Sequence, residues 1–208
     1  VGVVFNMPRR DRALVLPMAA DVGSQFTPAA GWAQAIRYRR DHLGETAIGD
    51  SIAVVFGGEG SVASNGFWSA LTIATTLRLP LLFVIEDNNY AISVKSWLQT
   101  PGGNIAANLA SFRDLAIWDG SGVEPVVTAA LVEEAVTHVR SGAGPGLLRL
   151  TMPRLSGHSS VDNQAYKTED ERDAEWARDP IPALCRALVP ALMTESEWKA
   201  LEVAAAAD

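Results

Sequence analysis

The sequence is short of several things, and each shortage removes a class of function. Cys185 is the only cysteine, so no intrachain disulfide can form and a cluster of thiolates around a metal has no ligand set. That scarcity favours a reducing compartment. No apolar run approaches the ~18 residues of a membrane span, and no signal peptide opens the chain. Basic residues are outnumbered, 17 Lys and Arg against 24 Asp and Glu. The net charge of −7 argues against nucleic acid, whose phosphates reward clustered cations. The one basic run, Arg37-Tyr38-Arg39-Arg40, sits among helix formers and reads as a solvated helix face. No internal repeat is present, and no low-complexity tract beyond the C-terminal alanines.

What remains is ordinary globular material. Apolar residues at 48% and charged residues at 20% exclude disorder for most of the chain, and 208 residues suffice for one sizeable core. The chain begins at Val1 in an apolar run, Val-Gly-Val-Val-Phe, and we expect upstream sequence to be missing. We read residues 1–208 as a single domain, with a loop at 153–179 and helices at 180–208.

Apolar runs alternate with helical patterns. Ser51 to Phe56 is a short β-branched run closed by Gly57-Gly58, as expected for a buried strand. Ser64 to Arg78 places Phe67, Trp68, Leu71, Ile73, Ala74 and Leu77 at helical spacing, and Pro80 stops it. Leu81 to Ile85 is a second buried strand, ending in Glu86-Asp87. Two buried strands joined by a helix make a βαβ unit, hence an α/β fold with a doubly wound parallel sheet. Asn104 is expected to cap a helix through Leu115, and Pro125 to begin one reaching Arg140. Gly146 to Met152 reads as another strand. Pro153 to Asp179 reads as a long polar loop with one helical turn, and loops of that length are usually functional or disordered. In the tail, Thr194 and Glu197 form a capping box. His42 and His138 fall in expected helices without partners and receive no role.

Gly58-Glu59-Gly60-Ser61-Val62-Ala63 lies between a strand and a helix. Glycines there let the backbone approach a phosphate, and a helix N-terminus favours an anion. The run also matches the dinucleotide pattern G-x-G-x-x-A, with Glu86 placed as a ribose-binding acid would be, or it is a plain tight turn. Two features favour a metal instead. Glu59 would repel a bare pyrophosphate unless a cation lay between them. Asn88-Asn89-Tyr90 stands at the carboxyl end of the next strand, where parallel sheets gather ligands. A carboxylate, an amide oxygen and a backbone carbonyl are the hard donors that Mg²⁺ prefers.

Gly58-Glu59-Gly60, followed one helix and one strand later by Asn88, resembles the thiamine diphosphate motif, usually written GDG…NN. The longer stretch from GEGSVASNGFWSAL through LRLPLLFVIEDNNYAISV is similar to alpha subunits of the pyruvate and branched-chain 2-oxo acid dehydrogenases, whose pattern ends in ENNxYAIS. Asp21-Val22-Gly23-Ser24-Gln25 with Pro28-Ala29-Ala30-Gly31 resembles the segment that cradles the thiazolium ring. Arg154-Leu155-Ser156-Gly157-His158-Ser159 with Asp162 and Tyr166-Lys167 resembles the family's phosphorylation-loop region. These matches run in order along nearly the whole chain.

The resemblance implies the thiamine-diphosphate-binding fold and a set of roles. Glu59, the Asn88 side chain and the Tyr90 carbonyl would bind Mg²⁺. Gly58, Gly60 and Ser61 would surround the diphosphate. Val22 aligns with the apolar residue that supports the bent cofactor, although a valine there also reads as core. His158, which otherwise reads as an exposed bystander, matches the loop histidine near the reacting centre, suited to proton handling or to stabilising charge. Ser159 aligns with the serine that kinases phosphorylate in mitochondrial relatives, where a phosphate adds charge and disorders the loop.

Some positions depart from the pattern. Glu59 stands where most relatives have aspartate and reaches roughly 1.5 Å further. Some branched-chain enzymes share it. Glu86 stands where branched-chain types have arginine and pyruvate types glutamate. The relatives' Tyr-Arg pair for the diphosphate would lie upstream of Val1. The implied reaction is oxidative decarboxylation of a 2-oxo acid, branched-chain favoured over pyruvate, with acyl transfer to a lipoyl-bearing acyltransferase. The implied partner is a beta subunit or fused beta half, which supplies the glutamate that activates the cofactor, in an alpha-two, beta-two assembly. Gln99-Thr100-Pro101-Gly102-Gly103-Asn104 resembles the fused subset. A bacterial-type cytoplasmic location is expected, with the mitochondrial matrix as the alternative. Two rival readings are a nicotinamide dehydrogenase built on the same turn and an inactive scaffold subunit of the cofactor fold.

Overall fold

A computed structural model describes residues 13–16 and 21–207; the apolar run that opens the chain lies outside them. After a turn at 21–25 comes α1 (Phe26–Asp41), which buries Phe26, Ala30 and Ala33, spaced four and three apart on one face. Its other side carries the basic run: Arg37 and Arg40 pair with Asp41, and Arg39 with Glu45. That is the solvated face expected. β1 (Ala53–Gly58) leads through a 3₁₀ turn (Glu59–Ala63) into α2 (Asn65–Thr76). Ser64 caps α2, its hydroxyl accepting the Phe67 amide at 3.3 Å. β2 (Leu81–Asp87) follows, then a small antiparallel hairpin of β3 (Tyr90–Ala91) and β4 (Val94–Lys95). The remaining elements are α3 (Ile105–Asn108), β5 (Ala116–Ser121), α4 (Pro125–Arg140), β6 (Gly146–Thr151), α5 (Glu169–Trp176), α6 (Pro180–Leu188) and α7 (Glu195–Ala207).

β1, β2, β6 and β5 form one sheet in that order, every pair parallel. Alternation along β2 and β6 fills both faces, whereas β1, at an edge, buries Val55 and leaves Val54 and Phe56 exposed, so the strand expected to be buried at 51–56 is covered on one face only. Leu81, Phe83, Ile85, Val55 and Leu147 pack under α1, α2 and α3, around the edge-on ring pairs Phe26–Phe67 at 5.2 Å and Phe67–Phe83 at 5.8 Å. Leu82, Val84, Leu148 and Leu150 pack on the other face with Ala135 and Val139 of α4. Helices on both faces make the sheet doubly wound, as expected. No helix among the described residues is long and apolar enough to cross a membrane.

The differences have local causes. The helix expected from Asn104 to Leu115 is a single turn: Asn104 does cap it, but the chain leaves helical geometry at Leu109 and turns at Asp114, with φ of 58°, to enter β5. β5 itself escaped the sequence reading, because an edge strand carrying Asp119 and Gly120 has no continuous apolar run. The 153–179 loop contains two helical turns rather than one, because Thr168 and Glu171 form a full capping box at the start of α5. The capping box at Thr194 and Glu197 is present. His42 and His138 do have neighbours: the first lies 5.0 Å from the Tyr38 ring, the second 5.4 Å from Trp118.

Candidate functional site

Parallel strands deliver their carboxyl ends to one edge of the sheet, and four of the expected site residues arrive there from β1. Gly58 ends the strand and Glu59, Gly60 and Ser61 begin the 3₁₀ turn, whose first amides have no acceptor within the turn. A Cβ at Gly60 would lie 2.3 Å from the Ala91 Cβ, so only glycine lets the turn abut the β3–β4 hairpin. The buried Ser61 hydroxyl donates to the Gly58 carbonyl at 2.6 Å, closing the turn.

Glu59 points inward and is only 3% exposed. Its Oε2 accepts the Asn88 amide at 3.2 Å, while its Oε1 is buried without a partner. Burial pushes its pKa from the ordinary 4.5 up to about 7. Its own amide and that of Asn88 oppose the shift, and the negative charge of Asp87 adds to it. An orphaned carboxylate oxygen is an unfavourable thing to bury unless a cation or a proton meets it.

Its neighbours at the end of β2 are oxygen donors. The Asn88 Oδ1 accepts the Tyr90 amide at 3.1 Å, and the Tyr90 carbonyl accepts from Arg154 at 3.3 Å, each oxygen keeping a second lone pair. Between them Asn89 adopts φ of 69°, a left-handed conformation that asparagine tolerates. Among the described residues no three His, Cys, Asp or Glu side chains gather into a metal cage. A cation here would therefore be held by one carboxylate, neutral oxygens and ligand phosphates. That donor set fits Mg²⁺ and does not fit a softer metal.

The segment around Val22 reaches the same edge. Gly23 has φ of 83°, and a Cβ there would lie 2.1 Å from the Ser64 hydroxyl. A Cβ on Gly66 would lie 2.6 Å from the Gly23 carbonyl oxygen. The two glycines thus press the 21–25 turn against the start of α2. Val22 is 74% exposed there, so the core reading of this valine is overturned and its side chain is open to a ligand. Gln25, to which the sequence reading gave no role of its own, donates its side-chain amide to the Phe56 carbonyl at 3.1 Å and buries an unpartnered Oε1.

His158 is exposed, and no hydrogen bond joins its ring to Glu59 or Asn88. Its loop is nevertheless tied to their neighbour Tyr90. Asp162 accepts the amides of His158 at 2.7 Å and Gln164 at 2.8 Å, and the Tyr166 hydroxyl at 3.0 Å. The His158 and Gln164 amides, in that order, hold the Asp162 carboxyl below the usual carboxylate range. The Tyr166 ring lies 5.4 Å from that of Tyr90, and the buried cations Arg154 and Lys167 lie over the Tyr90 ring at 5.7 and 5.0 Å. Lys167 also donates to the Arg154 carbonyl at 2.8 Å and pairs with Glu175 of α5.

One cluster was missed in the sequence. Arg149, in the middle of the apolar strand β6, pairs with Asp87 at 2.7 Å and with Asp119 at 2.7 Å. A lone arginine between Leu148 and Leu150 was the available signal, since a buried cation requires partners.

The fold is that of an α/β protein in which the glycine turn, Glu59 and the Asn88–Tyr90 run gather outside the carboxyl ends of a parallel sheet, where ligands bind in such folds. Residues 6–208 match the family model described as dehydrogenase E1 component, and the chain belongs to that family. It is 30% identical over 185 residues to the chloroplastic pyruvate dehydrogenase E1 component subunit alpha-3 of Oryza sativa, covering 88% of this chain and 43% of that protein. It is 31% identical over 168 residues to the 3-methyl-2-oxobutanoate dehydrogenase subunit alpha of Mycobacterium tuberculosis, covering 80% and 43%. The chain spans less than half the length of these relatives. A solved transketolase from Campylobacter jejuni superposes with a TM-score of 0.56 at 15% identity, covering 79% of this chain and 26% of that one, a likeness of fold.

Proposed function

We propose that this chain is the alpha component of a thiamine-diphosphate-dependent 2-oxo acid dehydrogenase and carries the Mg²⁺–diphosphate end of the cofactor site. The observation that carries the reading is the buried Glu59 carboxylate at a strand-to-helix glycine turn, whose Oε2 accepts the Asn88 amide while its Oε1 has no partner. Glu59, the Asn88 side chain and the Tyr90 carbonyl hold the cation. Gly58, Gly60 and Ser61 hold the diphosphate, and exposed Val22 supports the thiazolium end. His158, brought near Tyr90 by its loop, handles a proton or stabilises developing charge. Thiamine diphosphate, when bound, supplies the electron sink for decarboxylation.

The substrate class is a 2-oxo acid, and we favour a branched-chain acid over pyruvate on the strength of the glutamate at position 59. The acyl product passes to a lipoyl-bearing acyltransferase, and activity depends on a beta subunit or beta half. Residues 1–208 form one cofactor-binding domain, with 153–179 beside the active site. A nicotinamide dehydrogenase would leave the buried Glu59 unexplained.

Calorimetry on the full-length protein with its beta partner tests this. Thiamine diphosphate should bind only with Mg²⁺, and Glu59→Ala or Asn88→Ala should abolish binding. A well-folded assembly that binds NAD and no thiamine diphosphate would sink the reading.

A further inference from the structure

The Asp87–Arg149–Asp119 cluster is used by none of these roles, yet it joins one largely buried arginine to acids on two neighbouring strands. We infer that Arg149 is a positioning residue for the cation site, holding the Asn88–Asn89 turn in register through Asp87; this rests on the cation site proposed above.

The guanidinium lies on β6 between two acidic strands. Register places Arg149 directly opposite Asp119 of β5 and opposite Ile85 of β2, so Asp87 is its diagonal neighbour. Its Nε and Nη2 both reach the Asp87 Oδ2 at 2.7 Å, and its Nη1 reaches the Asp119 Oδ1 at 2.7 Å. The Arg149 side chain is 12% exposed and that of Asp87 4%. Each carboxylate has a second task. The Asp119 Oδ2 accepts from the side-chain amide of Asn104, the cap of α3, at 2.9 Å. The Asp87 Oδ1 accepts the Asn89 amide at 2.9 Å. Asn89 is the left-handed residue between Asn88, whose backbone amide donates to Glu59, and Tyr90, whose amide donates to the Asn88 Oδ1.

A continuous path thus runs from α3 through β5, β6 and β2 to the backbone that carries Asn88. The planar fork of arginine is what allows one side chain to hold both acids, which a lysine ammonium cannot reproduce. Arg149 also compensates Asp87, which would otherwise be a second, unpaired buried carboxylate close to Glu59 and a competing oxygen ligand.

The test is titration of Mg²⁺ by calorimetry at saturating thiamine diphosphate, on the full-length protein with its beta partner. R149K and R149M should bind Mg²⁺ about tenfold or more weakly, the range seen when outer partners of metal ligands are removed. R149M/D87N should recover most of the affinity, because asparagine keeps the acceptor for the Asn89 amide and leaves no unpaired charge. At saturating Mg²⁺ the variants should regain turnover, so the defect reads out as a raised Mg²⁺ requirement. Folded R149K and R149M with unchanged Mg²⁺ affinity would overturn the inference. So would wild-type affinity in R149K with tighter binding in R149M, the pattern of a bare charge effect. If R149M does not fold, R149K and the double variant decide on the same criteria. Failure of the wild-type assembly to bind thiamine diphosphate with Mg²⁺ overturns the proposed function itself, and is distinguishable because it precedes any variant.

Discussion

Glu59 and His158 stand at the same edge of the sheet and are held in opposite ways. Glu59 follows β1 directly, is nearly inaccessible, and its neighbourhood is set by strand register and by Gly57 and Gly60, where a Cβ would lie 2.5 Å from the Ser61 hydroxyl and 2.3 Å from the Ala91 Cβ. His158 stands in a loop seven residues past the end of β6 (158 − 151), is exposed, and is oriented by one carboxylate, Asp162, that gathers three donors. A sheet positions a side chain by burying its backbone neighbours. A loop has no such burial and must use polar contacts, here anchored on the buried Arg154, Lys167 and Tyr90. The contrast is between a half fixed by burial, where the cofactor is proposed to bind, and a half fixed by polar contacts, where His158 is proposed to act.

The most damaging way to break this comparison is to remove what the halves share. Phe83→Ala, beneath Phe26 and Phe67, should lower stability by about 3–5 kcal/mol in denaturant titration and weaken both halves together. Next, Glu59→Ala should abolish Mg²⁺-dependent thiamine diphosphate binding in calorimetry, a greater loss than the roughly 10–100-fold typical of removing an outer partner of a metal ligand. The same site has a pH signature. The folded-state pKa of Glu59 is raised, so without metal the folded protein holds a proton that the unfolded chain releases. Metal-free stability should therefore fall as pH rises from about 4.5 to about 7. Glu59→Gln should remove that slope, and Mg²⁺ should offset it by favouring the carboxylate. Thermal melts across pH, with and without Mg²⁺, check both statements.

A smaller effect is expected in the loop half. A Cβ on Gly157 would lie 2.2 Å from the Asp162 carbonyl oxygen, so Gly157→Ala should loosen the loop at a penalty of about 1–3 kcal/mol. Faster cleavage within 156–166 in limited proteolysis, with Mg²⁺ binding unchanged, would sharpen the division, whereas lost Mg²⁺ binding would break it. His158→Ala should leave stability within about 0.5 kcal/mol, since the side chain is exposed, while turnover falls ~10²–10⁴-fold. Equal losses of turnover and stability would make His158 a structural residue.

β2 and β6 were legible because they are apolar runs bounded by glycine, proline or acid, and burial on both faces leaves that pattern in any sequence. β1, at the opposite edge of the sheet from β5, was legible because its run Ala53 to Phe56 is apolar although only one face of it is covered. The helix from Pro125 to Arg140 was legible from its starting proline. β5 was not, because an edge strand needs only half its surface covered and admits Asp119 and Gly120. The extent of α3 was not, because a cap announces where a helix starts and tertiary contacts decide where it stops.

The site divides along the same line. Residue types, order and spacing singled out the glycine turn, Glu59 and the Asn88-Asn89-Tyr90 run as candidates, because hard oxygen donors and phosphate-binding glycines are chemical requirements written residue by residue, whereas the role expected of the His158 loop came from the family resemblance alone. The sequence equally determined that nucleic acid and disulfide chemistry were poor readings, from its charge and single cysteine. Only the tertiary structure decided that one oxygen of Glu59 is orphaned, that Val22 faces outward, and that Arg149 joins acids from β2 and β5. Burial and charge pairing are properties of neighbours far apart in the chain, and strand register brings those neighbours together.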